Sequence, residues 1–283
     1  MYTTLPNGIK VFNREAGSKS APVVLLLHGF PSSSHQYVKL INLLAPKYHV
    51  IAPDLPGFGF TEVPSSLNFE YNFANLATTT ASFLDILGIS KFAVYVFDYG
   101  APTALRLALQ RPEAITAIIS QNGNAYEDGL GDFWNPLKAW WENNDTATAD
   151  FVRNNFLNLE GTKGQYTTGE PDTDVIDPAT YYLDWVLLER PGNKDIQLKL
   201  LMDYRTNVTM YPQFQEYFRK SQVPVLAAWG KNDAIFIPPG AEAFKRDLPK
   251  AEVHLLDAGH FAVESHTEEI ADLMVKFLEK NGI

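Results

Sequence analysis

The chain has 283 residues, 46% hydrophobic and 20% charged, with a formal net charge of -10 at pH 7. That length and composition allow one large core and exclude disorder, and the acidic balance excludes the basic patch that nucleic acid or an anionic membrane requires. The absence of cysteine excludes disulfides, thiol catalysis and thiolate metal sites.

The first residues, Met1 to Gly17, lack the charged-then-apolar pattern of a leader. The longest apolar run, residues 23–27, is far too short to span a bilayer, so a soluble cytoplasmic protein is expected. That run reads as a strand, residues 34–44 as a helix, 49–52 as a strand and 72–87 as a helix. A strand over 92–97, a helix over 101–110 and a strand over 114–120 continue the alternation. It breaks between residues 125 and 220, a stretch rich in aromatics, Asn and Asp without a convincing buried strand. Helices are expected there at 150–158 and 194–208, the latter started by Pro191-Gly192 with Asn193 as N-cap. The alternation resumes with strands at 225–229 and 252–256 and helices at 239–248 and 268–280. In the last helix Ile270, Leu273, Met274, Phe277 and Leu278 mark one apolar face.

Such alternation implies a mostly parallel sheet covered by helices on both faces. Residues 1–124 and 221–283 then form the core, and 125–220 a helical cap inserted after the sixth strand. Ligands of open α/β sheets sit at the carboxyl ends of the strands. Four loops there carry polar groups: His28-Gly29-Phe30-Pro31, Asp98-Tyr99-Gly100, Lys231-Asn232-Asp233 and Asp257-Ala258-Gly259-His260. A carboxylate, a second carboxylate and a histidine occur in that order. None of the six histidines has metal-ligand spacing, so neither a metal nor a cofactor is expected. Asp54 reads as a turn former, His28 as a residue that shapes its loop, and His35, His49, His254 and His266 as sheet, packing or surface positions.

Val96-Phe97-Asp98-Tyr99-Gly100 resembles the nucleophile elbow of the α/β-hydrolase fold, with Asp in the nucleophile slot and Val96 where a small residue is common. His28-Gly29-Phe30-Pro31 and Asp54-Leu55-Pro56-Gly57-Phe58-Gly59 resemble loops of the epoxide hydrolase and haloalkane dehalogenase branch. The resemblance implies Asp98 as nucleophile, His260 as base and Asp233 as the acid that orients it. It also implies an oxyanion hole made by the backbone N–H groups of Phe30 and Tyr99. A carboxylate suits displacement at saturated carbon because it is ionised at neutral pH without a base.

The leaving group needs a donor. Met202-Asp203-Tyr204-Arg205 resembles the segment that carries a cap tyrosine in epoxide hydrolases, which makes Tyr204 the expected donor. Where that family has a second tyrosine, this chain has Trp140, whose indole suits a halide better than an alkoxide, and Tyr126, Tyr166, Tyr181 and Tyr182 are the other candidates for a second donor. Tyr99 replaces the tryptophan that haloalkane dehalogenases place after the nucleophile. Tyr99 and Pro102 stand where fluoroacetate-type enzymes carry arginines. Three activities stay open: epoxide hydrolysis, haloalkane dehalogenation, and ligand binding by a non-catalytic relative. In each case the partner is a small molecule, and nothing in the sequence sets the oligomeric state.

Overall fold

A computed structural model describes all 283 residues. Eight strands form one sheet in the order β1-β2-β4-β3-β5-β6-β7-β8. They are β1 (Tyr2–Thr4), β2 (Lys10–Ala16), β3 (Val23–Leu27), β4 (His49–Pro53), β5 (Phe92–Phe97), β6 (Ile115–Gln121), β7 (Val225–Gly230) and β8 (Glu252–Leu256). From β4 across to β8 every pairing is parallel, whereas β1 and β2 join the β4 edge antiparallel. The two N-terminal strands were not expected. In β2 the apolar pair Val11-Phe12 is followed by Asn13-Arg14-Glu15, so it lacks the apolar run that marks the central strands.

The central strands β4, β5 and β7 are buried along their whole length, as a sheet covered on both faces requires. Two apolar clusters lie on opposite faces: Leu25, Leu27, Val94 and Val96 point into one, and Val24, Leu26, Ala93, Tyr95 and Phe97 into the other. The core helices are α1 (Val38–Leu44), α2 (Phe73–Ile86) and α3 (Gly100–Gln110).

Between β6 and β7 lie α4 (Asn135–Asn143), α5 (Thr146–Asn155), α6 (Leu159–Thr167), α7 (Pro178–Leu188) and α8 (Asn193–Ser221). The chain closes with α9 (Pro239–Asp247), the short α10 (Ala262–Ser265) and α11 (Thr267–Lys280). No helix is long and apolar enough to cross a membrane.

Three local expectations are corrected. The helix expected over 150–158 begins earlier and ends sooner, at Thr146–Asn155. α5 ends at Asn155, and Asn158 caps α6 by accepting from the Gly161 N–H at 2.7 Å. Asn193 is not an N-cap: Gly192, at φ +80°, takes that place, and Asn193 donates to Leu187 O. The helix that follows runs 29 residues, through Pro212, instead of stopping near Val208. Its buried stripe of Leu200, Tyr204, Asn207, Tyr211, Phe214 and Phe218 continues past the proline. Burial of that stripe outweighs one missing backbone N–H.

The helical layer sits over the carboxyl edge of the sheet. Gln197 donates to Gly57 O, Arg190 to Gly59 O, and Asn232 in the loop after β7 to Gly169 O. Arg106 of α3 donates to Asn207 and Thr206, which anchors α8 to the core.

Candidate active site

β5 ends at Phe97 and α3 begins at Gly100, so the chain must reverse within two residues. Asp98 makes that reversal at φ +46°, a left-handed backbone that non-glycine residues seldom adopt. The crowding is visible in its neighbours. A Cβ on Gly100 would lie 2.2 Å from Leu27 O, and one on Gly29 would lie 2.3 Å from the Asp98 side chain. The branched Val96 is accommodated from the other side: a Cβ on Gly123 would lie 3.0 Å from Val96 Cγ2 and 2.9 Å from Ala101 Cβ. Gly123 after β6 thus supplies the space that a small residue at position 96 would otherwise leave.

The elbow aims the Asp98 carboxylate at two loops. Its Oδ1 accepts from the Phe30 N–H at 2.7 Å, and the Tyr99 N–H also supports the anion. The Phe30 loop is set by residues that do not reach the carboxylate. His28 Nε2 accepts from the Leu55 N–H at 2.9 Å, which puts its proton on Nδ1, facing Gly29 O. Burial holds His28 neutral by lowering its pKa to about 4. Asp54 accepts from the Ser34 and Phe60 N–H groups, as a turn former does.

On the other side of Asp98 stands His260, delivered by the loop after β8. Its Nε2 lies 3.9 Å from Asp98 Oδ2 and is buried without a hydrogen-bond partner. Its Nδ1 lies 2.7 Å from Asp233 Oδ2. Asp233 is fixed in turn: Asn122 Nδ2 donates to Oδ2 at 2.7 Å and the Ile235 N–H to Oδ1 at 2.7 Å. Asn122, at φ +49°, also accepts from the Gly230 N–H, while Gln121 donates to His260 O at 2.8 Å. Sequence reading missed Gln121 and Asn122. Their position at the carboxyl end of β6, beside the strands bearing Asp98 and Asp233, is the signal that was available.

Burial pushes the Asp98 carboxyl up to about 6, only partly offset by the His260 charge and the N–H groups of Phe30 and Tyr99. Burial alone would lower the His260 pKa, but the charge and hydrogen bond of Asp233, with the charge of Asp98, raise it.

A narrow cavity opens on Asp98. Phe30, Tyr99, Phe133, Trp134, Leu137, Phe156, Leu157, Leu201 and Ile235 wall it, and its other polar members are Gln165 and Gln197. It leaves about 30 Å³ for the centres of water-sized molecules, room for about two waters. A second cavity, about 240 Å³ by the same measure, reaches Asp233 and His260 beside α5 and α6.

The structure brings Asp98, Asp233, His260, Phe30 and Tyr99 together. It leaves Tyr204 and Trp140 off the lining of the Asp98 cavity. Tyr204 is fully buried, its ring 4.5 Å from that of Trp134 and 5.8 Å from that of Tyr99, and its hydroxyl lies 3.3 Å from that of Tyr211. Position on the helix face was read correctly, but a layer of aromatic side chains stands between it and the cavity. Trp140 packs into the core, and Trp134 occupies the wall instead, with its indole N–H donating to Ile235 O at 2.8 Å.

A parallel sheet with a left-handed carboxylate elbow after β5 and an acid–histidine pair after β7 and β8 is the architecture of an α/β hydrolase, and the chain belongs to that family. Residues 22–267 match the alpha/beta hydrolase fold. The chain is 48% identical to an uncharacterized hydrolase of Saccharomyces cerevisiae, over 97% of this chain and 95% of the relative. It is 27% identical to epoxide hydrolase 3 of Siraitia grosvenorii, over 97% of this chain and 96% of that one. It is 25% identical to a haloalkane dehalogenase of Bradyrhizobium diazoefficiens, over 93% and 89% of the two chains.

Proposed function

We propose that this hydrolase opens a short epoxide to a diol through an ester on Asp98, and that residues 125–220 act as its cap. The observation that carries this reading is a buried carboxylate at the elbow. Its Oδ1 already sits on the Phe30 N–H, while its Oδ2 faces an unpartnered His260 Nε2. In this reading Asp98 Oδ2 attacks an epoxide carbon and the carbon–oxygen bond of the ring breaks. Oδ1 becomes the ester carbonyl oxygen and stays in the two N–H groups, where the charge of the tetrahedral intermediate then develops. His260 takes a proton from water, which attacks the Asp98 carboxyl carbon, and Asp233 stabilises the imidazolium.

The donor for the departing oxygen falls to Tyr99. It is the sole tyrosine on the cavity wall, its hydroxyl has no partner in the protein, and burial keeps it protonated by raising its pKa well above the ordinary value. A halide would need N–H donors instead. The indoles of Trp134 and Trp141 are already spent on Ile235 O and Leu201 O, which favours the epoxide over the haloalkane. The test is a panel of short epoxides and haloalkanes assayed for diol and halide, with single turnovers in heavy-oxygen water. Diol whose added oxygen comes from Asp98, with label passing into the peptide containing Asp98, is expected. Halide release without diol would replace the epoxide by a haloalkane. Label in the first-turnover product, or full activity in Asp98→Ala, would remove the ester mechanism.

A further inference from the structure

One polar side chain on the cavity wall remains unassigned. Gln165 of α6 lines both the cavity at Asp98 and the cavity at His260. It therefore borders the space between nucleophile and base. The residue is partly exposed, and its carboxamide makes no hydrogen bond with the protein. The other amide on the wall is committed: Gln197 Nε2 donates to Gly57 O at 3.0 Å and to Asn193 Oδ1 at 3.1 Å.

The helix that carries Gln165 is anchored beside the His260 loop. The adjacent Tyr166 is fully buried, donates its hydroxyl to Asp184, and stacks at 3.7 Å on the ring of Phe261, the residue after His260. α6 is thus packed directly against the His260 loop. A water that attacks the Asp98 ester has two hydrogens and one lone pair to aim. His260 Nε2 accepts one hydrogen. Unless the other is also accepted, the water can rotate about that single hydrogen bond, and its lone pair is not directed at the carboxyl carbon.

We propose that Gln165 Oε1 accepts this second hydrogen and positions the hydrolytic water between His260 Nε2 and the Asp98 carboxyl carbon. The inference rests on the Asp98-ester reading. In the step, the water oxygen bonds to the carboxyl carbon and one proton passes to His260. The bond from that carbon to Oδ2 breaks, and Oδ2 leaves with the product as an alcohol, taking the proton from His260. Asp98 keeps the water oxygen. The second proton is released when its carboxyl ionises, which restores the hydroxyl of the leaving-group donor. Gln165 holds the second hydrogen until then and is not itself protonated.

Gln165→Met removes the carboxamide at nearly constant length from a partly exposed helix position, and Gln165→Glu keeps an acceptor. Alkylation and ester hydrolysis are followed separately by stopped flow and by mass spectrometry of the Asp98 peptide with 1,2-epoxybutane, and folding by thermal melting. Gln165→Met should slow hydrolysis by about 10²-fold, accumulate the Asp98 ester and leave alkylation nearly unchanged. Gln165→Glu should recover most of the hydrolysis rate. Slowed alkylation with normal hydrolysis would overturn the proposal, because the amide would then act on the leaving group. Equal slowing of both steps, or of neither, would also overturn it. Failure of the ester reading has a different signature, with no Asp98 adduct from any epoxide or haloalkane even in His260→Gln, and removes this inference along with that reading. If the Met variant does not fold, Gln165→Leu is read by the same criteria.

Discussion

Acidification should disable the nucleophile well before it reaches ordinary carboxylates. Burial lifts the Asp98 carboxyl from 3.8 to about 6, a difference equivalent to about 3 kcal/mol against the charged form. Only the carboxylate attacks, so the alkylation rate follows its ionised fraction. At pH 5 that fraction is about one-tenth, whereas a carboxyl at 3.8 would stay about nine-tenths ionised. Alkylation should therefore be level above pH 7 and fall about tenfold by pH 5. The His260 charge holds the Asp98 pKa down, so His260→Gln should move the limb above 6. Hydrolysis requires neutral His260, whose protonated form Asp233 favours, and should therefore also be lost as pH falls. Stopped-flow alkylation with 1,2-epoxybutane from pH 4.5 to 8, corrected for the uncatalysed reaction and accompanied by circular dichroism, measures the limb. An alkylation rate unchanged between pH 7 and pH 5 in folded protein would refute the argument, since it would mean that the apolar surroundings do not penalise the charge.

Asp233→Asn removes the acceptor that fixes the His260 tautomer, so ester hydrolysis should fall by about 10⁴ while alkylation continues; quench-flow with detection of the Asp98 adduct distinguishes the two steps. Gly123→Ala places a Cβ within 3.0 Å of Val96 Cγ2 and 2.9 Å of Ala101 Cβ. It should destabilise the fold by about 1–3 kcal/mol in urea denaturation, and Val96→Ala should return part of the loss. Tyr204→Phe should leave alkylation nearly unchanged because its hydroxyl meets Tyr211 and not the cavity, whereas Tyr99→Phe should slow it by about 10²–10³. The opposite ranking in single-turnover rates would return the donor role to Tyr204.

Much of the core was legible because its signals are local. A parallel strand buried on both faces has to be an unbroken apolar run, as at Phe92–Phe97, and a sheet of such strands concentrates polar loops at its carboxyl edge. Asp98, Asp233 and His260 could be named from the loops they occupy, since each lies in the loop that follows a parallel strand at the carboxyl edge. The helical segment was harder to read. Its boundaries depend on caps such as Asp145, Asn158 and Gly192, so α5 read as 150–158, and Pro212 reads as a stop although the buried stripe keeps its helical spacing beyond it, so α8 read as half its length.

The sequence by itself determined the alternation of strands and helices and the order of the polar loops, because each depends on residues adjacent in the chain. Only the tertiary structure decided what faces the cavity. It set Trp134 and Tyr99 on the wall and Tyr204 behind it, matched Val96 to Gly123, and bound Asp233 to Asn122. Those partners are distant in sequence. Helical periodicity fixes which residues share a face, but which of two buried residues on that face reaches a cavity depends on the side chains that pack between them.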